Sequence, residues 1–135
     1  MHGVRLHPMR TNIIRKAYLA CSWGIVALGV LHMAATARLF TALTQSALWF
    51  LSGGLAMVLT GAINLLNRAY GGSAPGLQWV CRAANVALAV FAVTAGLVGR
   101  AGAVETIVVV GLMAGTAVLS LLPHAAIAES ASGAA

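Results

Sequence analysis

The chain has 135 residues, of which 61% are hydrophobic and 7% are charged, and its formal net charge at pH 7 is +6. In soluble domains roughly a quarter of the residues are charged, so this composition excludes a water-soluble globular domain and predicts a protein that is surrounded by lipid. The basic residues occur singly between apolar runs, which excludes a nucleic-acid interface despite the positive charge.

Four apolar runs predict an all-α fold, a bundle of four transmembrane helices with up-down-up-down topology. The first two spans are residues 17–37 and 47–67, and each has about 21 residues, enough for one crossing. The third span, residues 83–99, is shorter. The fourth, residues 104–122, stops before Pro123, which cannot continue a helix.

The basic residues outside the spans predict the orientation of the bundle. Residues 1–16 form a basic N-terminal arm, residues 17–122 the membrane domain, and residues 123–135 a small polar tail that we expect to be disordered. Six cations lie on the side of the termini, namely Arg5, Arg10, Arg15, Lys16, Arg68 and Arg82; Arg38 and Arg100 lie on the other. The positive-inside rule therefore predicts that both termini are cytoplasmic.

A cleavable signal peptide is an alternative for the N-terminus, because basic residues precede the first apolar run and residues 35–37 match an A-x-A site. The run is long for a signal peptide, which favours a retained helix.

His32 is an ionisable residue inside the first span, about five residues or 7 Å from its outer end. Such a group in hydrocarbon needs a polar partner, and we predict that His32 faces the bundle interior and bonds to the second helix near Ser52 and Gly53. The alternative is that His32 is a ligand of haem or a metal, or contacts a proton or a quinone. A small-molecule site would then be formed by His32, Trp49, Ser52 and Gly53.

Two asparagines lie near the inner ends of consecutive antiparallel spans. Asn64 and Asn85 are expected at the same depth, so an amide pair between the helices is predicted. A polar substrate site lined by these residues and Thr60 is the alternative.

Small residues predict close helix contacts. Gly111 and Gly115 form a GxxxG motif in the fourth span, which serves either packing within the chain or a homodimer. Ser52, Gly53, Gly54 and Gly61 predict a groove on the second span. A weak similarity at an offset of about 60 residues suggests that the two hairpins are a duplication, as in some transporters.

The sequence offers no arrangement for catalysis. None of the spans contains a carboxylate at its centre, which argues against a proton-coupled exporter, and no acid, base and nucleophile share one depth. Cys21 and Cys81 predict neither a disulfide nor a metal site. A haem held by two histidines of one chain is excluded, because His124 lies at the other end of the bundle from His32.

The segments GVLHMAAT and ALWFLSGGLAMVLTGAINLL resemble small four-helix bacterial integral membrane proteins that form families of unknown function. The similarity covers about the first half of the chain, at Gly29, His32, Trp49, Phe50 and the glycines that follow. It implies a four-helix fold in a bacterial inner membrane and no particular reaction.

These observations predict a non-enzymatic membrane protein without a cofactor, acting as an accessory or assembly component in the bilayer, alone or in a larger complex. One alternative is a small-molecule carrier or binder with a cavity near His32 and Trp49. Another is a redox subunit that holds haem or quinone, which would require His32 from two copies for a bis-His haem.

Overall fold

The computed structural model describes residues 8–99 and 102–122. It contains four α-helices in that part of the chain, α1 (Pro8–Leu39), α2 (Gln45–Tyr70), α3 (Pro75–Gly99) and α4 (Ala103–Leu121). Each helix contains a segment that is long and apolar enough to cross a membrane. The prediction of an all-α protein with four membrane-length helices is confirmed.

Two helices begin earlier than the apolar runs. Helix α1 starts at Pro8 and α3 at Pro75, so part of the predicted arm and part of the segment between the second and third spans are helical. Proline is well suited to the first turn of a helix, where its missing N–H would have no partner. The predicted tail, residues 123–135, lies outside the described residues.

Helices α1 and α2 form an antiparallel pair and have the most extensive contact of the bundle. Glycines permit this contact: a Cβ atom added to Gly29 would lie 2.7 Å from the carbonyl oxygen of Gly54, and one added to Gly54 would lie 2.8 Å from that of Gly29. A Cβ on Gly61 would lie 3.0 Å from the carbonyl oxygen of Ser22. The two backbones therefore approach as closely as glycine allows.

Helices α3 and α4 form the second hairpin, and smaller α2–α3 and α1–α4 contacts close the bundle. All four helices contribute to the apolar core, which consists of Ile25, Met57, Leu88, Ala92 and Met113. Many large apolar side chains point outward instead, as expected for a protein surrounded by lipid.

The GxxxG motif of α4 lies away from these contacts. Gly111 is exposed, and a Cβ atom added to Gly111 or Gly115 would meet no atom within 4 Å in the described chain. Close packing within the chain thus occurs at Gly29, Gly54 and Gly61 rather than at this motif.

Candidate functional site

Five polar side chains from three helices meet in the interior and are called the polar cluster below. They are Tyr18 of α1, Asn64 and Asn67 of α2, and Cys81 and Asn85 of α3. The spacings of three residues in α2 and four in α3 place each pair on one helix face. Each side chain is at most 2% exposed.

Asn64 is the centre of the polar cluster. Nδ2 of Asn64 donates to Oδ1 of Asn85 at 2.8 Å, and Nδ2 of Asn85 donates to Oδ1 of Asn64 at 2.8 Å. Nδ2 of Asn64 also donates to the carbonyl oxygen of Thr60 at 2.8 Å. The two asparagines singled out in the sequence are thus joined by a reciprocal amide pair between α2 and α3.

Tyr18 connects α1 to this amide pair. Its hydroxyl donates to Oδ1 of Asn64 at 2.6 Å and accepts from Nδ2 of Asn67 at 3.2 Å. The sulfur of Cys81 lies 3.3 Å from the same hydroxyl and donates to Oδ1 of Asn64 at 3.2 Å. Both cysteines of the chain are free thiols.

Tyr18, Asn67 and Cys81 were not predicted as members of a site. Tyr18 lies near the end of the first span, where a tyrosine commonly occupies the membrane interface, yet its side chain is completely buried. The spacing of Tyr18, Ser22, Ile25 and Gly29 along one helix face is the sequence signal that could have identified its direction.

The hydrogen bonds of the interior are almost complete. Among the described residues, only Oδ1 of Asn67 and Nε of Arg68 are buried side-chain nitrogen or oxygen atoms without a hydrogen-bond partner. Both atoms belong to the last two turns of α2, at the end of the bundle where the polar cluster lies.

The polar cluster consists of amide, phenol and thiol groups, and it contains neither a carboxylate nor an imidazole. Elsewhere in residues 8–99 and 102–122, no group of three His, Cys, Asp or Glu side chains is placed to hold a metal ion. The chemistry that this arrangement offers is hydrogen bonding between helices, which fixes their relative rotation and register.

His32 lies against α2, the helix expected as its neighbour, but the contact is an aromatic stack. Its ring is parallel to that of Phe50 within 18°, with the centroids 3.7 Å apart. In the part of the chain that the structure describes, the imidazole has no hydrogen bond to another side chain, and its polar contact with α2 is to the backbone of Phe50 rather than to Ser52. The stack buries part of the His32 side chain, which is half-buried as a whole.

The four residues proposed for a small-molecule site are not all brought together. A Cβ atom on Gly53 would lie 3.6 Å from Nε2 of His32, so these two residues are adjacent. Trp49 is 65% exposed and points away from the bundle, and the hydroxyl of Ser52 donates to the carbonyl oxygen of Trp49 at 2.8 Å.

An open depression of about 300 Å³ lies close by, between the end of α1 and the start of α2. Its lining includes Met33, Thr36, Phe40, Ala47 and Leu51, and neither His32 nor Trp49 contributes to it. This depression lies at the loop between the first two helices and is distinct from the cavity expected near His32 and Trp49.

Comparison with known proteins identifies no relative. No protein-family model, curated protein or solved structure matches the chain. The resemblance to small bacterial four-helix proteins remains a prediction from the sequence.

Proposed function

We propose that the chain is a non-enzymatic multi-pass protein of a bacterial inner membrane that acts as an accessory or assembly component. The observation that supports this is that both polar atoms of the Asn64 side chain, at the centre of the polar cluster, are hydrogen-bonded to neighbouring helices. Among the described residues, Oδ1 of Asn67 is the one side-chain nitrogen or oxygen atom of the cluster without a partner. A site for chemistry or transport needs polar groups that are free to meet a substrate. These groups instead hold the helices together.

The outer surface supports the same proposal. Aromatic side chains such as Trp23, Trp49 and Phe91 are exposed, so the bundle presents large apolar groups to its surroundings. In a bilayer these groups contact either lipid or another membrane helix. We propose that one face of this surface binds a partner, which is a second copy of the chain or a subunit of a larger complex.

The proposed topology is up-down-up-down with both termini in the cytoplasm. Arg15, Lys16, Arg68 and Arg82 lie at the end of the bundle that holds the polar cluster, and the positive-inside rule supports a cytoplasmic position for that end. Reporter fusions test this directly: a fusion after Leu122 should report the cytoplasm, and one within residues 38–46 the periplasm. The opposite pattern would refute the orientation.

Site-specific photo-crosslinking in intact membranes tests the accessory role. A photoreactive amino acid is placed at exposed positions on different faces, such as Trp49, Leu59 and Val90, and at buried Met57 as the control. We expect a protein adduct of one defined mass from one face only, and none from Met57. Lipid adducts alone at every exposed position, together with a monomeric mass in detergent, would contradict the proposal.

A second proposal, binding of a small apolar or weakly polar molecule, is supported by the open depression. Its volume of about 300 Å³ is at the lower end of the range for ligand sites. Stabilisation of the purified protein by a panel of such molecules would support this function. Ala47 lines the depression with a small side chain, so Ala47→Phe should fill part of it and abolish the stabilisation if the molecule binds there.

A further inference from the structure

Among the described residues, the end of the bundle that carries the polar cluster has basic side chains and no acidic one. Arg15, Lys16, Arg68 and Arg82 lie there. The chain has only two acidic residues, and the one within the described ranges, Glu105, is in the first turn of α4 at the opposite end. These cations therefore have no carboxylate side chain beside them within residues 8–99 and 102–122.

Two of the cations lie on the helix faces that carry members of the polar cluster. Arg15 is three residues before Tyr18, and Arg68 is four residues after Asn64, so each lies one turn beyond a member of the polar cluster. Tyr18 and Asn64 are hydrogen-bonded at 2.6 Å and lie in antiparallel helices. One turn back along α1 to Arg15 and one turn forward along α2 to Arg68 therefore lead toward the same end of the bundle. Arg15 and Arg68 consequently lie on facing stripes of α1 and α2, and both are half-buried.

The side chain of Arg68 has a donor group that lacks a hydrogen-bond acceptor in the described part of the chain. Its Nε is buried and has no hydrogen-bond partner among the described residues. A guanidinium does not lose its proton in proteins, so its charge cannot be removed by a change of protonation. An anion that accepts hydrogen bonds is the partner that suits a half-buried guanidinium.

Arg82, unlike Arg68, has partners among the described residues, and its contacts indicate where this end of the bundle lies relative to the lipid headgroups. Its Nε donates to the carbonyl oxygen of Ser120 at 3.3 Å, where it satisfies the last turn of α4, and its guanidinium lies 5.6 Å from the ring centroid of Trp79. The Trp79 side chain is 70% exposed, and tryptophan in such positions favours the headgroup level of a bilayer. The exposed Trp79 therefore indicates that the Arg82 guanidinium lies at the depth expected for lipid headgroups.

We propose that Arg15 and Arg68 bind the phosphate group of an anionic phospholipid between α1 and α2. The planar guanidinium fork matches the geometry of phosphate oxygens, and the apolar outer surface of the helices accepts the acyl chains. The site is independent of the proposed accessory role and lies at the same end of the bundle in either membrane orientation.

Lipid titration of the full-length protein tests the site. The protein is purified in a neutral detergent, and binding of phosphatidylglycerol is measured by native mass spectrometry against phosphatidylcholine with the same acyl chains and against inorganic phosphate. Each guanidinium that contacts the lipid phosphate should contribute roughly a fivefold increase in affinity. We therefore expect phosphatidylglycerol to bind more tightly than phosphatidylcholine and each of Arg15→Gln and Arg68→Gln to weaken it about fivefold.

Lys16→Gln is the matched control, because it removes the same charge next to Arg15 from an exposed position. It should leave the preference for phosphatidylglycerol nearly unchanged. An equal loss in Lys16→Gln and Arg15→Gln would show diffuse charge attraction and overturn the site. Equal binding of both lipids, or competition by inorganic phosphate at the lipid's own concentration, would also overturn it.

Two further measurements keep the test decisive. If Arg68→Gln does not fold, as judged by far-UV circular dichroism, Arg15→Gln decides the outcome. Glu129→Gln should not change lipid binding. A gain in affinity for phosphatidylglycerol in Glu129→Gln would identify this carboxylate as the counterion and refute the proposal.

Discussion

Replacement of Asn64 by leucine should destabilise the bundle more than replacement of its partner Asn85. Asn85→Leu removes the two bonds of the amide pair but leaves Asn64 bonded to Thr60, Tyr18 and Cys81. Interhelical hydrogen bonds in membranes contribute about 0.6 kcal/mol each on average, so we expect a loss of about 1 to 2 kcal/mol.

Asn64→Leu has a second effect, because the groups that bonded Asn64 remain in an apolar interior. The Tyr18 hydroxyl loses its acceptor at 2.6 Å, and both polar atoms of Asn85 lose their partners on α2. A buried polar group left unsatisfied costs about 1 to 3 kcal/mol, so we expect a total loss of about 2 to 4 kcal/mol. In the double variant Asn85 no longer has orphaned groups, and the cost should be smaller than the sum by about 1 to 2 kcal/mol.

The free energy of unfolding is measured by titration with sodium dodecyl sulfate in mixed micelles, followed by far-UV circular dichroism. Thr94→Val is the control, since Thr94 is exposed on α3 and its hydroxyl bonds only to its own helix. It should change stability by less than about 0.5 kcal/mol. Strict additivity of the two asparagine variants, or a larger effect of Asn85→Leu, would refute the argument that Asn64 is the centre of the polar cluster.

Two more predictions follow from the α1–α2 contact, both measured by thermal unfolding in detergent. Gly29→Ala should destabilise the bundle by about 1 to 3 kcal/mol, because its Cβ would approach the Gly54 carbonyl oxygen to 2.7 Å, while Gly111→Ala should be neutral; equal effects would contradict the packing. His32→Phe should retain stability because the stack on Phe50 is kept, whereas His32→Leu should lose about 0.5 to 1.5 kcal/mol. A loss in His32→Phe as large as in His32→Leu would show that a polar bond, and not the stack, holds the ring.

The sequence indicates the number of helices and the asparagine pair, because apolar length and the depth of a residue along a span are properties of the chain itself. It does not indicate where the helices begin, since hydropathy marks the part of a helix in hydrocarbon, and Pro8 and Pro75 start helices that extend beyond it. Helices α1 and α3 therefore begin several residues before the predicted spans.

The composition of the polar cluster depends on helix rotation, which short-range patterns leave undetermined. Tyr18 is buried, and Trp49 is exposed, because the close contact between Gly29 and Gly54 sets the facing sides of α1 and α2. The same contact directs His32 to Phe50 instead of Ser52. Hydropathy does not distinguish a side chain near the end of a span that points to lipid from one that points to the interior. Its contacts are therefore known only from the assembled bundle.

The position of Asn64 has a consequence for biogenesis. Within the first hairpin alone, Asn64 already bonds to Tyr18 and to the Thr60 carbonyl oxygen, so α1 and α2 can enter the bilayer with most of these groups paired. Asn85 arrives later on α3, where Cys81 offers it only a long contact of 3.5 Å, and its full pairing requires the completed first hairpin. Because α1 and α2 are synthesised first, Asn64 is already held in place when α3 and α4 pack against them. The amide of Asn85 then pairs with Asn64 and fixes the position of the second hairpin.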